Sequence, residues 1–307
     1  MKLVPIANLQ VPTLDSNTPP YASRPVPLEM PRLHILGAII GGRGSGKTTA
    51  ALKLLKMYVA AGSYDKIFWY SPTAKREDKM AGFVEYCRKK DVEVRIYDTY
   101  GDAQFQELQA WMGGEIDAYK RYLQQLAVWQ RFVRAKSSDH LSVEDLIALD
   151  NMDWKRPTST YKHYPSFCLV LDDQAGKKDV FASNCKNQMS NFMILHRHLS
   201  CSVLCLLQIV ANGLPRQLRS NISMWMLFPC KSATLKRAVC EELAFKMGAD
   251  ELMRAWDYAT TQGKGHDFLM LDYDEPDPAR MMRKNFTHYL LPGEAEEPVE
   301  EEEEAAD

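Results

Sequence analysis

The chain has 307 residues, 46% of them hydrophobic, and a formal net charge of −2. That length suits one large α/β domain with insertions or an appendage, and the hydrophobic share is ordinary for a globular core. No apolar run reaches the roughly eighteen residues of a membrane span, no basic start leads into an apolar stretch as in a secretory signal, and seven cysteines without a C-x-x-C pair make no disulfide scaffold.

Residues 1–31 carry Pro19-Pro20, Pro25, Pro27 and Pro31 and read as an extended arm. The folded body is expected over residues 32–293. It opens with a short apolar run, His34 to Ile40, of the kind that forms a buried parallel strand. Gly41-Gly42-Arg43-Gly44-Ser45-Gly46-Lys47-Thr48 follows, with Thr49 behind it, and fits the phosphate-loop pattern of Gly, four residues, then Gly-Lys-Thr. Glycines there let backbone N–H groups curl around a phosphate chain. Lys47 supplies a point charge for the β- and γ-phosphates, the Thr48 hydroxyl a ligand for Mg²⁺, and the next helix aims its N-terminus at the anion. That helix places Ala51, Leu54, Leu55, Tyr58 and Val59 on one face, and Gly62 ends it.

Lys66 to Tyr70 is aromatic and β-branched and predicts a strand, stopped by Ser71-Pro72-Thr73. Val92 to Tyr97 alternates apolar and polar, as an exposed strand does. From Gln104 to about Ala135 the pattern is helical, with Ile116, Tyr119, Tyr122, Leu123, Leu126 and Val133 along one stripe and a break expected at Gly113-Gly114. Residues 137–165 are polar, with a short helix near Val143 to Leu149. The whole of about 104–165 reads as a helical insertion between core strands. Apolar runs then return at Phe167–Leu171, Val203–Leu207 and Met224–Phe228, with helical segments at Asn187–Leu195, Ala233–Met247 and Asp250–Tyr258. Phe268–Tyr273 and Phe286–Leu291 predict a terminal pair of strands. Alternating strands and helices give an α/β fold, a parallel sheet with helices on both faces. Residues 294–307 hold eight Glu and one Asp; without those nine charges the remainder moves from −2 to +7. This acidic tail is expected to be disordered.

Hydrolysis of a nucleoside triphosphate needs a metal at the β- and γ-oxygens, a polarised water and a positive group for developing charge. Phe167 to Leu171 ends in Asp172-Asp173, and an acid at the C-terminal end of such a strand lies in the ligand crevice. Asp172 is expected to hold Mg²⁺, and Asp173 to orient or deprotonate the attacking water. Gln208 ends the next apolar strand and suits a γ-phosphate sensor. Arg197, Arg216 and Arg219 are candidates for an arginine reaching a neighbouring subunit's phosphates, with Arg219 preferred. Cys168, Cys201 and Cys205 lie in apolar runs and read as buried thiols, not zinc ligands, in a reducing, intracellular setting. Lys177-Lys178, Lys231, Lys236-Arg237 and Lys264 are scattered, and the first pair suits DNA phosphates.

The order of motifs is the phosphate loop, Ser71-Pro72-Thr73, Leu171-Asp172-Asp173, Arg197-His198, Gln208, then Leu214 to Asn221. It resembles that of the poxvirus-type genome-packaging ATPases of large DNA viruses and virophages, in the FtsK–HerA superfamily of P-loop NTPases, over roughly residues 33–230. The resemblance implies the ASCE or RecA-like fold, with the Gln strand between the loop strand and the Asp-Asp strand. It implies ATP and Mg²⁺, a homo-oligomeric ring, double-stranded DNA as the translocated polymer, a capsid or portal-vertex partner, and a site in the host cytoplasm, a viral factory or the virion. Lys47 and Thr48 then match the phosphate and metal ligands, Asp172 the metal acid, Asp173 the water-polarising acid, Gln208 the sensor and Arg219 the trans-acting arginine. Asp173 departs from the Glu found in many relatives outside this group. Another P-loop motor, a helicase or terminase, and a non-catalytic nucleotide-gated scaffold remain the alternatives.

Overall fold

The computed structural model describes residues 24–135, 140–174, 180–181, 187–208, 214–261 and 265–291. The arm's first 23 residues, the acidic tail, Lys177-Lys178 and Lys264 lie outside the described residues. In chain order the strands are β1 Leu36–Ile40, β2 Lys66–Tyr70, β3 Glu93–Tyr97, β4 Phe167–Asp172, β5 Cys201–Leu207, β6 Met224–Leu227, β7 Leu269–Asp272, β8 Met282–Lys284 and β9 His288–Tyr289. The helices are α1 Lys47–Ala61, α2 Asp78–Arg88, α3 Asp102–Ala135, α4 Val143–Asp150, α5 Gln188–Leu195, α6 Arg216–Arg219, α7 Ala233–Leu243, α8 Ala249–Thr261 and α9 Pro278–Met281.

All nine strands form one sheet in the order β3-β2-β4-β5-β1-β6-β7-β8-β9. The first six run parallel, and β7 to β9 extend the sheet antiparallel. β1, β4, β5 and β6 are buried along their whole length, which is why they read as unbroken apolar runs. β3 lies at an edge and alternates exposed and half-buried residues. One apolar core joins the sheet to α1 and α2 through Leu54, Leu55, Tyr58, Trp69, Phe83 and Val170. A second covers the opposite face, where Phe105, Phe192, Leu218, Val239 and Trp256 from α3, α5, α6, α7 and α8 pack on Phe68, Leu169 and Trp225. Gly62 takes φ 79° and closes α1, its N–H reaching the carbonyls of Tyr58 and Val59.

Three expectations need correction. The glycine pair does not break α3, which runs 34 residues without interruption. Phe105, Leu108 and Met112 before it and Ile116 and Tyr119 after it are buried in the same core. Two glycines cost a helix about 2 kcal/mol, less than those five side chains return at roughly 1.5–3 kcal/mol each. The predicted stripe also stops short. Ile116 and Tyr119 are buried, but Leu123 and Val133 are 42% and 57% exposed. The outer half of α3 meets α4 and the loop after it, through the Arg131–Asp145 ion pair and an edge-on contact of Phe132 with Trp154.

The terminal strand pair is in fact three strands. β8 was missed because Met282-Arg283-Lys284 has no apolar alternation. Arg283 is nonetheless buried, 3.7 Å from Asp272 on β7. Residues 24–31, the end of the Pro-rich segment, lie along the body. Arg24 pairs with Asp65 at 3.1 Å, and the Tyr58 hydroxyl donates to the Pro31 carbonyl at 2.5 Å.

Gly114 is helical and a Cβ there meets open space. Gly114→Ala should raise stability by roughly 0.5–1 kcal/mol in urea unfolding. Phe105→Ala, which empties a fully buried site between Tyr70 and Phe192, should lower it by about 3–5 kcal/mol.

Candidate active site

The phosphate loop connects β1 to α1 and has the backbone its glycines allow. Gly44 and Gly46 take φ of 76° and 102°, left-handed values that side chains resist. Gly41 is needed for space. A Cβ there would lie 2.5 Å from Ser45 Oγ and 2.6 Å from Phe228 Cβ. The loop is tied to the sheet by the Gly41 N–H donating to Leu207 O at 3.1 Å, and folded on itself by Ser45 N–H to Gly42 O at 3.3 Å. Lys47 is buried, and its ammonium donates to the carbonyls of Gly41 at 2.7 Å and Gly42 at 3.0 Å. Arg43 is exposed; Thr48 and Thr49, in the first turn of α1, are half-buried.

The acids stand two strands away from that loop. β5 lies between β1 and β4, Asp172 is level with Leu206, and Leu206 is level with Ile39. The loop, Gln208 and the Asp pair therefore leave the same edge of the sheet. Asp172 closes β4 and is buried. Burial first, then the neighbouring Asp173 and Glu77, raise its pKa to about 7, against the pull of Lys47. The Lys47 ammonium is pushed down by burial and supported by Asp172 and Asp173. Asp173 has φ 51°, a left-handed conformation that Asp tolerates. It is exposed, and its carboxylate accepts from Gln208 Nε2 at 3.2 Å. The Gln174 amide donates to Asp172 O at 3.1 Å. Lys47, Asp172, Asp173 and Gln208 are thus brought together.

The donor set fits Mg²⁺. Mg²⁺ keeps several waters and takes one or two protein ligands plus phosphate oxygens, rather than an all-protein cage. A hydroxyl and a carboxylate such as those of Thr48 and Asp172 would be such a pair, and among the described residues no cluster of three or more His, Cys, Asp or Glu competes as a metal cage. Burial first, and the neighbouring acids second, disfavour the charge on Asp172, and a cation there would favour it.

Three residues at the site escaped sequence reasoning. Glu77 and Lys79 follow β2 at the start of α2, and Lys79 donates to Thr49 Oγ1 at 3.1 Å. His266, before β7, has its Nδ1 3.1 Å from Ser45 O. The signal was faint, a polar stretch four residues after Ser71-Pro72-Thr73. A cavity of about 1000 Å³ runs from Lys47, Thr48 and Glu77 to Phe286 and Asn285, and a second of about 530 Å³ lies against Gly41–Ser45, Gln208 and Trp256.

The arginine candidates stand apart. Arg219 ends α6 and pairs within the chain with Glu242, 2.9 Å away, its side chain 11% exposed. Arg216 is exposed, and no ion-pair partner for it exists among the described residues. Arg197 is exposed, 3.4 Å from Asp274. His196 is buried, with its Nδ1 2.7 Å from Cys201 O. Cys168, Cys201 and Cys205 are fully buried thiols. Lys236 is buried, near Asp257 and over the Trp256 ring, while Lys231 is exposed at the smaller cavity.

The fold and the placement of its phosphate loop are those of a P-loop NTPase in which an extra strand separates the loop strand from the acidic strand. No protein-family model and no curated protein matches the chain. Solved structures do. The genome packaging NTPase B204 from Sulfolobus turreted icosahedral virus 2, in complex with AMP, is similar at 12% identity and TM-score 0.48, over 82% of this chain and 96% of that one. The cytoplasmic domain of the Thermomonospora curvata type VII secretion ATPase EccC is similar at 16% and 0.38, over 82% and 25%. The pCW3 conjugation coupling protein TcpA, in monomer form with ATPγS, is similar at 12% and 0.39, over 83% and 61%. Among the described residues, no helix is long and apolar enough to cross a membrane.

Gly41→Ala should cost at least tenfold in nucleotide affinity by titration calorimetry, because Phe228 is fixed in the core and the loop must yield. The far-ultraviolet circular dichroism should stay unchanged.

Proposed function

We propose that this chain is an ATPase that drives double-stranded DNA into a preformed viral capsid as one subunit of a ring. The observation that carries the hydrolytic part is the gathering of Lys47, Thr48, Asp172, Asp173 and Gln208 at one sheet edge. The DNA-packaging part is supported by the order of motifs from the phosphate loop to Asn221 and by the basic body that the acidic tail offsets.

On this reading the triphosphate lies over the loop, its β- and γ-oxygens taking the Lys47 ammonium from the Gly41 and Gly42 carbonyls. The N-terminal N–H groups of α1 add their partial positive charge. The nucleoside end extends along the larger cavity toward Phe286 and Asn285. Thr48 and Asp172 hold Mg²⁺, which when bound neutralises charge on the phosphates. Asp173 orients the attacking water. Gln208, bonded to Asp173, changes partner when the γ-phosphate leaves and so reports the nucleotide state to β5. Arg219 reaches the neighbouring subunit's phosphates once Glu242 releases it. A membrane span has no part in this mechanism.

Purified protein should hydrolyse ATP, and double-stranded DNA should accelerate it, with ring-sized particles in light scattering. Lys47→Ala should lower kcat/KM at least 100-fold. A wild-type rate no different from that of Lys47→Ala, with and without DNA, would sink the motor. Arg219→Ala should lose turnover but keep ATP binding. Mixed with Lys47→Ala subunits it should regain part of the rate, since each variant then supplies what the other lacks across a boundary. No recovery on mixing would confine Arg219 to its pairing with Glu242.

A further inference from the structure

The larger cavity does not stop at the phosphate loop. It follows α1 past Thr49 to Lys53, Lys56 and Met57, and its far wall is the turn between β8 and β9, Asn285 to Thr287. Lys56 lies nine residues along the helix from Lys47, about 13 Å. Lys53, Lys56 and Lys79 are exposed in this cavity, and none of them has an ion-pair partner among the described residues. Lys79 donates to Thr49 Oγ1 at 3.1 Å, and the Lys56 ammonium lies 5.3 Å from the centre of the Tyr86 ring. Among the described residues two acids line the cavity. Glu77 accepts from the Thr73 hydroxyl at 3.4 Å, and Asp267 lies 3.5 Å from Lys284 and accepts from Asn285 Nδ2 at 3.0 Å. With Lys47 at its head, the cavity is a groove of net positive charge.

The chain carries its own polyanion close by. The last described residue, Leu291, is exposed and stands four residues after Thr287, so at most about 14 Å of extended chain separates it from the cavity wall. The acidic tail begins three residues later. Glu294–Asp307 holds eight Glu and one Asp, with five of the Glu consecutive from Glu300 to Glu304, and no Lys or Arg. Sixteen residues follow Leu291. Their extended reach of about 55 Å is several times the distance back to the groove. A segment tethered this closely meets the groove at an effective concentration on the order of millimolar, so weak contacts suffice. A space of about 1000 Å³ admits several residues of extended peptide and no duplex, whose major groove alone is about 12 Å wide.

We propose that the acidic tail, Glu294–Asp307, docks in this groove on Lys53, Lys56 and Lys79 and holds the cavity against nucleotide until a triphosphate displaces it. The docking follows from charge and position. Its effect on nucleotide rests on the reading above, in which the triphosphate occupies the same cavity. Tail carboxylates and phosphate oxygens then compete for one set of cations. Because these lysines are exposed, the attraction is screened over about 8 Å at physiological ionic strength and weakens as salt rises.

The test uses the full chain in four forms: wild type; a neutral tail with Glu300→Gln, Glu301→Gln, Glu302→Gln, Glu303→Gln and Glu304→Gln; Lys53→Gln with Lys56→Gln; and both sets combined. A carbodiimide, which joins a carboxylate to an adjacent amine, is applied to an equal mixture of isotopically heavy and light wild-type chains, and the joined peptides are mapped by mass spectrometry. Expected are links from the tail to Lys53, Lys56 or Lys79 within chains of one isotope. No such link, or links as common between heavy and light chains as within them, overturns the docking. Affinity for ATPγS is read by titration calorimetry at about 0.05 M and about 0.5 M salt. The neutral tail should bind at least threefold tighter than wild type at the lower salt, and the gap should close at the higher. Neutralising the tail should gain less once Lys53 and Lys56 are Gln. Equal affinity, or a gap that neither salt nor the lysine changes alter, overturns the competition. A neutral tail that binds double-stranded DNA more tightly, without wild-type links to the groove, assigns the tail to DNA and overturns the proposal. Should the lysine variant not fold, the salt comparison decides. If no form binds ATPγS, the nucleotide reading fails, while the cross-links still decide the docking.

Discussion

Three parallel strands stop level with one another, and the site depends on that. The hydrogen-bond ladder sets Asp172 opposite Leu206 and Leu206 opposite Ile39, so the loop, Gln208 and the acids leave one edge together. Side chains then complete what the backbone has placed. Burial disfavours the charge on Asp172 and on Lys47 alike, and each charge supports the other. Isolated, either would cost several kcal/mol to keep ionised in such surroundings. On the proposed ATPase reading, a phosphate chain and a cation would each add their own charge to this balance.

Much of this was readable in the chain. A strand buried on both faces has to be apolar throughout, so Leu36–Ile40, Phe167–Leu171 and Val203–Leu207 announced themselves, and the acid directly after the second and the amide directly after the third were visible as departures from the pattern. The phosphate loop was legible because its backbone needs glycine at particular places, Gly41 for space and Gly44 and Gly46 for positive φ. What escaped depended on tertiary contact. Gly113-Gly114 looks like a break until the core on both sides of it is seen. Met282–Lys284 pairs as a strand because β7 offers it an edge, not because of its own residues. Glu77 and Lys79 have no motif of their own; their place beside the cavity follows from where β2 ends and α2 begins. Arg219 matched a motif, but no spacing along the chain foretold its partner Glu242.

The two ends of the described body are clasped together. Glu29 approaches Arg280, Arg283 and Tyr289, so the segment before β1 is held by the last strands of the sheet. Those same strands flank the larger cavity through Asn285, Phe286 and Thr287, and His266 before β7 contacts the loop at Ser45. The antiparallel extension therefore does more than widen the sheet. It forms one wall of the larger cavity beside the phosphate loop and ties that wall to the incoming chain.

The uninterrupted α3 has a mechanical consequence. At 1.5 Å per residue its 34 residues make a rod of about 51 Å. The first half is bolted to the sheet through Phe105, Met112 and Ile116, while the second, past Tyr119, leaves the sheet and carries α4 and the loop after it, with Leu123 and Val133 exposed. Such a rod magnifies angle into distance: a tilt of about 5° at the bolted end sweeps the far tip through about 2 Å, given the roughly 24 Å that lie beyond Tyr119. Had the glycines hinged it, that motion would be absorbed midway instead of delivered to the tip.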